Sequence, residues 1–176
     1  MIIKDVQTSE LNAVMIVADL MAAAARTAPK GKGADRLVSV IFTGEDKDMV
    51  AARMVEIAER EDIPFFRRDA ENIRQCAAVL VLGTTLAPLG IPYCGYCGYE
   101  NCQECNREDG RCNFNIIDLG IALGSAVSVA ARHHIDNRIM FSFGRTALEM
   151  GLLPESTMVA YAIPLSVSSK SPFFDR

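Results

Sequence analysis

Apolar and polar positions divide this chain into blocks of different period. Residues 11–25 are apolar almost without interruption, with only Asn12 and Asp19 breaking the run. Ser9 ahead of them predicts an N-cap, with Glu10 in the first turn. Pro29, Gly31 and Gly33 then end the helix. Residues 37–42 read as a strand. Residues 46–62 read as an amphipathic helix, because Val50, Met54, Ile57 and Ala58 fall on one face. A polar stretch follows Pro64, and residues 77–83 are continuously apolar, the pattern of a strand buried on both sides. After a loop with Pro88, Gly90 and Pro92, residues 115–132 predict a second helix that is apolar nearly all round. Residues 138–143 read as a strand, 146–152 as a short helix, 157–167 as a last strand and 168–176 as a polar tail.

Helices and strands that interleave in this way predict an α/β or α+β layered domain. The two all-apolar helices, 11–25 and 115–132, are expected to be buried on all sides. One domain of this size has too little interior to cover both, so a homodimer is expected to bury the second face of at least one. Gly120, Gly124 and Ser128 place a small residue at every fourth position of the later helix, which permits close helix contact.

The bulk numbers narrow the classes. The chain has 176 residues, enough for one domain with a real core. Eighteen Lys and Arg against 22 Asp and Glu leave a net charge of −4, which gives no basis for binding nucleic acid or an anionic membrane. The first residues, Met1-Ile2-Ile3-Lys4-Asp5, lack the basic and apolar regions of a secretory signal. The apolar runs contain an internal Asp and fall short of a bilayer span. A soluble, cytoplasmic protein is expected.

Five of the six cysteines lie within nineteen residues: Cys94, Cys97, Cys102, Cys105 and Cys112. Disulfides among them would close only very small loops, and a cytoplasmic setting disfavours them. Thiolates select zinc, copper(I) or iron–sulfur clusters. Two zinc knuckles usually stand a dozen or more residues apart, whereas here only four residues separate the Cys-x-x-Cys pairs. Cluster segments combine close cysteines with a more remote ligand. Cys94, Cys97 and Cys102 fit that style, with Cys105 or Cys112 as the fourth ligand. Zinc holding the loop for structure or partner recognition is the alternative. Cys76, ahead of an apolar run, reads as a small core residue. His133 and His134 read as the end of a helix rather than as ligands. The basic loop Arg26 to Gly33 could hold a phosphate, although its composition alone reads as a solvated turn.

Cys94-Gly95-x-Cys97-Gly98-x-x-x-Cys102 resembles the four-iron, four-sulfur motif of corrinoid iron–sulfur proteins. Cys112 follows Cys102 more closely than that motif's last ligand does. The whole chain resembles a prokaryotic family described as containing a ferredoxin domain. Outside the cysteine loop, Ala23 through Lys30, with its Ala28-Pro29 turn, and Leu148-x-x-Gly151-Leu152-Leu153-Pro154-Glu155 with Ile163-Pro164 resemble nitroreductase flavoproteins. That resemblance implies a single α+β, three-layer sandwich over 1–176, with residues 94–112 as a cluster-binding insertion. It also implies a dimer with FMN at the interface, and Arg26, Lys30 and Lys170 are the residues to test for flavin. The family's Arg-rich N-terminal segment has no counterpart before Leu11, and Lys30 stands where its turn has Ser. A cluster near Tyr93, Tyr96 and Tyr99 would carry single electrons. With flavin the chain would be an oxidoreductase, and without it an electron carrier or redox sensor.

Overall fold

The computed structural model describes residues 5–174. Residues 1–4, on which the absence of a secretory signal was read, and the last two of the polar tail lie outside that range. The first helix, α1 (Val6–Thr27), starts three residues before Ser9. Its N-cap is Asp5, whose carboxylate accepts the Thr8 N–H at 2.8 Å and the Thr8 hydroxyl at 2.7 Å. Ser9 therefore lies inside the helix, because an aspartate cap with two local donors outcompetes it.

A single 3₁₀ turn, Gly31–Gly33, leads to β1 (Leu37–Thr43) and then to α2 (Gly44–Glu61). The stretch after Pro64 is a helix, α3 (Pro64–Gln75), where the sequence reading had only polar chain. β2 (Ala78–Thr84) enters the sheet, and the long excursion that follows holds a short helix, α4 (Cys102–Arg107). α5 (Asn113–Arg132), the two-residue strand β3 (Asp136–Asn137), α6 (Phe141–Glu149) and β4 (Val159–Ser166) complete the fold. The expected strand over 138–143 is not formed. Only Met140 bridges the sheet, opposite Ala162, and the next residue begins α6. The helix forms because Gly144 lets its turn lie against the backbone of Ala160 and Tyr161.

The sheet order is β1-β2-β4-β3 with every pair antiparallel. Alternate residues of β2 face two separate cores, so the continuous apolar run is explained without a parallel sheet. Val79 and Val81 pack under α2, α3 and α6 with Phe42, Met54, Ile73 and Phe143. Ala78, Leu80 and Leu82 pack under α1 and α5 with Val14, Met21, Leu119 and Ala126. The result is a three-layer sandwich, helices on both faces of one sheet. The all-apolar helices are buried along one side only. Ile16 of α1 is 60% exposed and Ile117 of α5 48% exposed, with Leu11, Leu20 and Ile121 also open. Gly120, Gly124 and Ser128 lie on that open side of α5. Contrary to the expectation that the apolar runs fall short of a bilayer span, both helices have the length and composition of one, yet each is fastened to the sheet along its inner face.

Candidate functional site

All five clustered cysteines lie on the excursion between β2 and α5, and all are free thiols. Its path is fixed by local rules. Gly95 and Gly98 adopt φ of 64° and 85°, and the Gly98 N–H donates to the Gly95 carbonyl at 3.0 Å, closing a turn around Cys97. Asn101 caps α4 by accepting the N–H groups of Gln103 and Glu104, and the Glu104 carboxylate reaches back to the Glu100 N–H at 2.7 Å. This is a capping box in which the Glu104 carboxylate takes the N–H one residue ahead of the cap. It makes Cys102 the first residue of α4 and puts Cys105 one turn later on the same face. Asp109, with φ of 51°, turns the chain back, and the Gly110 N–H donates to the Cys105 carbonyl at 2.7 Å.

The returning strand of chain is anchored to the domain. The Cys112 N–H donates to the Leu86 carbonyl at 2.9 Å, tying the end of the loop to its beginning. Asn113 donates its side-chain amide to the Tyr96 carbonyl at 2.7 Å. Tyr96 stacks on Phe114, the ring centroids 5.8 Å apart and the planes within 7°. Cys105 and Cys112 are buried, while Cys94, Cys97 and Cys102 are half-buried. Burial pushes the Cys105 thiol up to about 11, and a hydrogen bond with Cys97 and the charges of Cys97, Cys112 and Cys102 push in the same direction. Cys97, Cys102 and Cys112 thus lie near the buried Cys105 thiol.

Among the described residues, no three Cys, His, Asp or Glu side chains already close around a single metal position. One zinc ion with bonds of about 2.3 Å needs four sulfurs within roughly 4 Å of one another. A cluster spreads its thiolates over separate iron atoms. The donor set, thiolate-rich and partly shielded from water, fits an iron–sulfur group. Tyr93 is fully exposed and Tyr96 is 69% exposed, so neither covers the segment, whereas Tyr99 is half-buried with its ring against Gly110. His133 and His134 close the far end of α5, about 30 Å from Cys112 for a helix of that length.

The three residues expected to meet a flavin do not form a phosphate cradle within one chain. Arg26 donates to Asp35 and to the Leu37 carbonyl. Lys30 caps α1 by donating to the carbonyls of Ala25, Arg26 and Ala28 at 3.2, 2.7 and 2.8 Å. The Gly31 N–H is taken by both oxygens of Asp118, at 3.1 and 3.0 Å. The loop therefore already holds an anion, supplied by α5. Lys170 lies on the other side of the sheet, in a groove with Arg68, Asn72 and Gln75 of α3. The sequence reading missed Asp118 as a partner, although a lone charge in an apolar helix needs one.

A family described as "Uncharacterized protein containing a ferredoxin domain" matches residues 108–176. A protein of Archaeoglobus fulgidus is 43% identical over 171 residues, covering 93% of this chain and 91% of its own length. The chain belongs to this ferredoxin-domain family. The match over 108–176 takes in Cys112 but not the other four clustered cysteines. Among solved structures, the nitroreductase CinD of Lactococcus lactis, in complex with nicotinic acid, superposes with a TM-score of 0.64. It is 12% identical, and the alignment covers 96% of this chain and 81% of that one. The NADPH:FMN oxidoreductase of Vibrio harveyi gives 0.56 at 12% identity, covering 89% of this chain and 61% of that one. At such identities the likeness shows the fold, which is nitroreductase-like as the sequence resemblance implied.

Proposed function

We propose that this chain is an iron–sulfur redox protein whose cluster, four-iron and four-sulfur in type, sits on residues 94–112. Cys94, Cys97 and Cys102 supply three ligands, and Cys105 or Cys112 supplies the fourth. The observation that carries the reading is the burial of Cys105 beside the sulfurs of Cys97, Cys102 and Cys112 in a loop fastened at both ends. A bound cluster supplies single-electron transfer. What the chain itself contributes is the pocket: half-buried thiols, backbone turns at Gly95 and Gly98, and anchors at Leu86 and Asn113 that hold their spacing.

The fold supports a flavin as a second group, and a chain with both would be an oxidoreductase. Arg26 and Lys30 do not fit an FMN phosphate in the single chain, so no role is derived for flavin. The open apolar side of α1 and α5 supports a homodimer, since contiguous apolar patches on soluble proteins mark interaction surfaces. A cytoplasmic location accords with the free thiols.

The test is anaerobic purification with an absorption spectrum and iron, sulfide, zinc and flavin assays on one sample. Broad visible absorption with iron matching sulfide is the expected result. A colourless protein with one zinc per chain would overturn the proposal in favour of a structural loop. Serine substitutions at Cys94, Cys105 and Cys112 then assign the ligands, because replacing a ligand should lower iron content more than replacing a cysteine that binds no iron.

A further inference from the structure

We propose that a groove beside the cysteine segment binds a small, planar, anionic electron partner, an aromatic ring bearing a sulfonate, carboxylate or phosphate. The electron role rests on the cluster reading; the binding claim does not. Leu37, Thr84 and Val159 stand in register, so β1, β2 and β4 end side by side at one end of the sheet. The residues that flank these strand ends, Arg36, Thr85 to Pro88, Ser156 and Met158, form one wall of a cavity of about 620 Å³, whose other wall is the chain from Asn106 to Arg111. That volume falls in the range of small-molecule sites, roughly 300–1,000 Å³.

The cavity is preformed. Its floor is held by three hydrogen bonds: Met158 N–H to the Thr84 carbonyl at 2.9 Å, Cys112 N–H to Leu86 at 2.9 Å, and the Asn115 amide to Ala87 at 2.8 Å. Its charge favours an anion. Arg36 spans the carbonyls of Ala87 and Pro88 with its two terminal nitrogens. Arg111 has no hydrogen-bond or ion-pair partner among the described residues, and it lines the cavity. Asp109 is the one acid on the rim, so two guanidinium groups face one carboxylate. Met158, 53% exposed, and Pro88 offer apolar surface for a ring. Arg guanidinium groups are suited to planar oxyanions. An anion held at Arg111 would lie one residue from Cys112, placing the ring within electron-exchange range of the cluster pocket.

Anthraquinone-2-sulfonate is a suitable probe, titrated calorimetrically into the protein as isolated. The expected result is saturable one-to-one binding that weakens at least tenfold in Arg111→Gln. Arg107→Gln is the control, since Arg107 is exposed, pairs with Glu104 and Glu108, and lies outside the cavity. No saturable binding would overturn the site. Equal loss in the Arg107 variant, or equal affinity for neutral 2-(hydroxymethyl)anthraquinone, would overturn the charge argument. In the reduced protein, the bound probe should also shift the electron paramagnetic resonance signal of the cluster. Binding without that shift, in protein shown to hold iron and sulfide, would remove the electron role. Iron and sulfide assays on the same sample keep a failure of the groove separate from a failure of the cluster reading.

Discussion

Replacing Gly110 with alanine tests whether the loop's packing sets its capacity for a cluster. A Cβ at this position would stand 2.9 Å from the Cys105 carbonyl oxygen and 2.4 and 2.8 Å from two carbons of the Tyr99 ring. The ring is the end of a side chain and can swing aside. The carbonyl cannot, because it belongs to α4 and accepts the Gly110 N–H at 2.7 Å. Opening this turn moves Cys105 away from the segment that carries Cys112. Overpacking costs about 1–3 kcal/mol, and the weakened hydrogen bond about 1 kcal/mol. A total of roughly 2–4 kcal/mol converts to about a 30- to 1,000-fold loss in affinity for whatever the loop holds. The strain is local, so the far-ultraviolet circular dichroism should match wild type while iron leaves to a chelator much faster. Adding Tyr99→Ala should relieve only the ring contact and recover part of the affinity. Iron retention in Gly110→Ala equal to wild type would refute the reasoning.

Three further outcomes follow from the structure. Gly144→Ala would place a Cβ 2.3 Å from the Ala160 carbonyl oxygen and 2.9 Å from the Tyr161 Cα, backbone on backbone. A loss of about 3 kcal/mol should lower Tm by about 6–12 °C, read by thermal denaturation. Asp118→Ala leaves the Gly31 N–H without its acceptor and should cost about 1–3 kcal/mol, whereas Asp118→Asn, which keeps an acceptor oxygen, should recover at least half; chemical denaturation measures both. Burial pushes the Cys76 thiol up to about 11, partly offset by the charge of Lys47. Between pH 9 and 11 the unfolded chain has released this proton and the folded chain has not, so stability falls as pH rises. The loss is roughly 3 kcal/mol over that window, and the slope should flatten in Cys76→Ala.

The sequence displayed the layers more clearly than the connections. Strands β1, β2 and β4 and helices α1, α2 and α5 were legible because each carries an uninterrupted or strictly periodic apolar pattern. α3 was missed because Arg67, Arg68, Glu71 and Arg74 dominate its composition. Its signal lay in Pro64 at the first helical position and in Phe66, Ala70 and Ile73 at helical spacing. α4 was overlooked because the cysteines drew the reading toward turns, although Asn101 and Glu104 spell a capping box. The strand read over 138–143 failed because alternation over a few residues does not separate a strand from a helix that packs closely at a glycine. The gathering of five cysteines on one excursion was legible from their spacing alone. The commitment of Arg26 and Lys30 within the fold was not, since their partners Asp35, Leu37 and the end of α1 meet them only in three dimensions.

α5 links these features physically. Its first turn follows Cys112 and carries Asn113 and Phe114, which hold the Tyr96 turn. Asn115 fixes the Ala87 wall of the cavity, and Asp118, one turn on, holds the Gly31 loop. The same helix offers Ile117, Gly120, Ile121 and Gly124 outward. A dimer formed on that open side would therefore press on the helix that positions the end of the cysteine segment. Charge placed on the outer face, as in Ile121→Glu, should then both shift the protein to monomer in sedimentation and loosen iron retention. Monomers that keep their iron as well as wild type would show that the fold holds the cysteine pocket without help from a second chain.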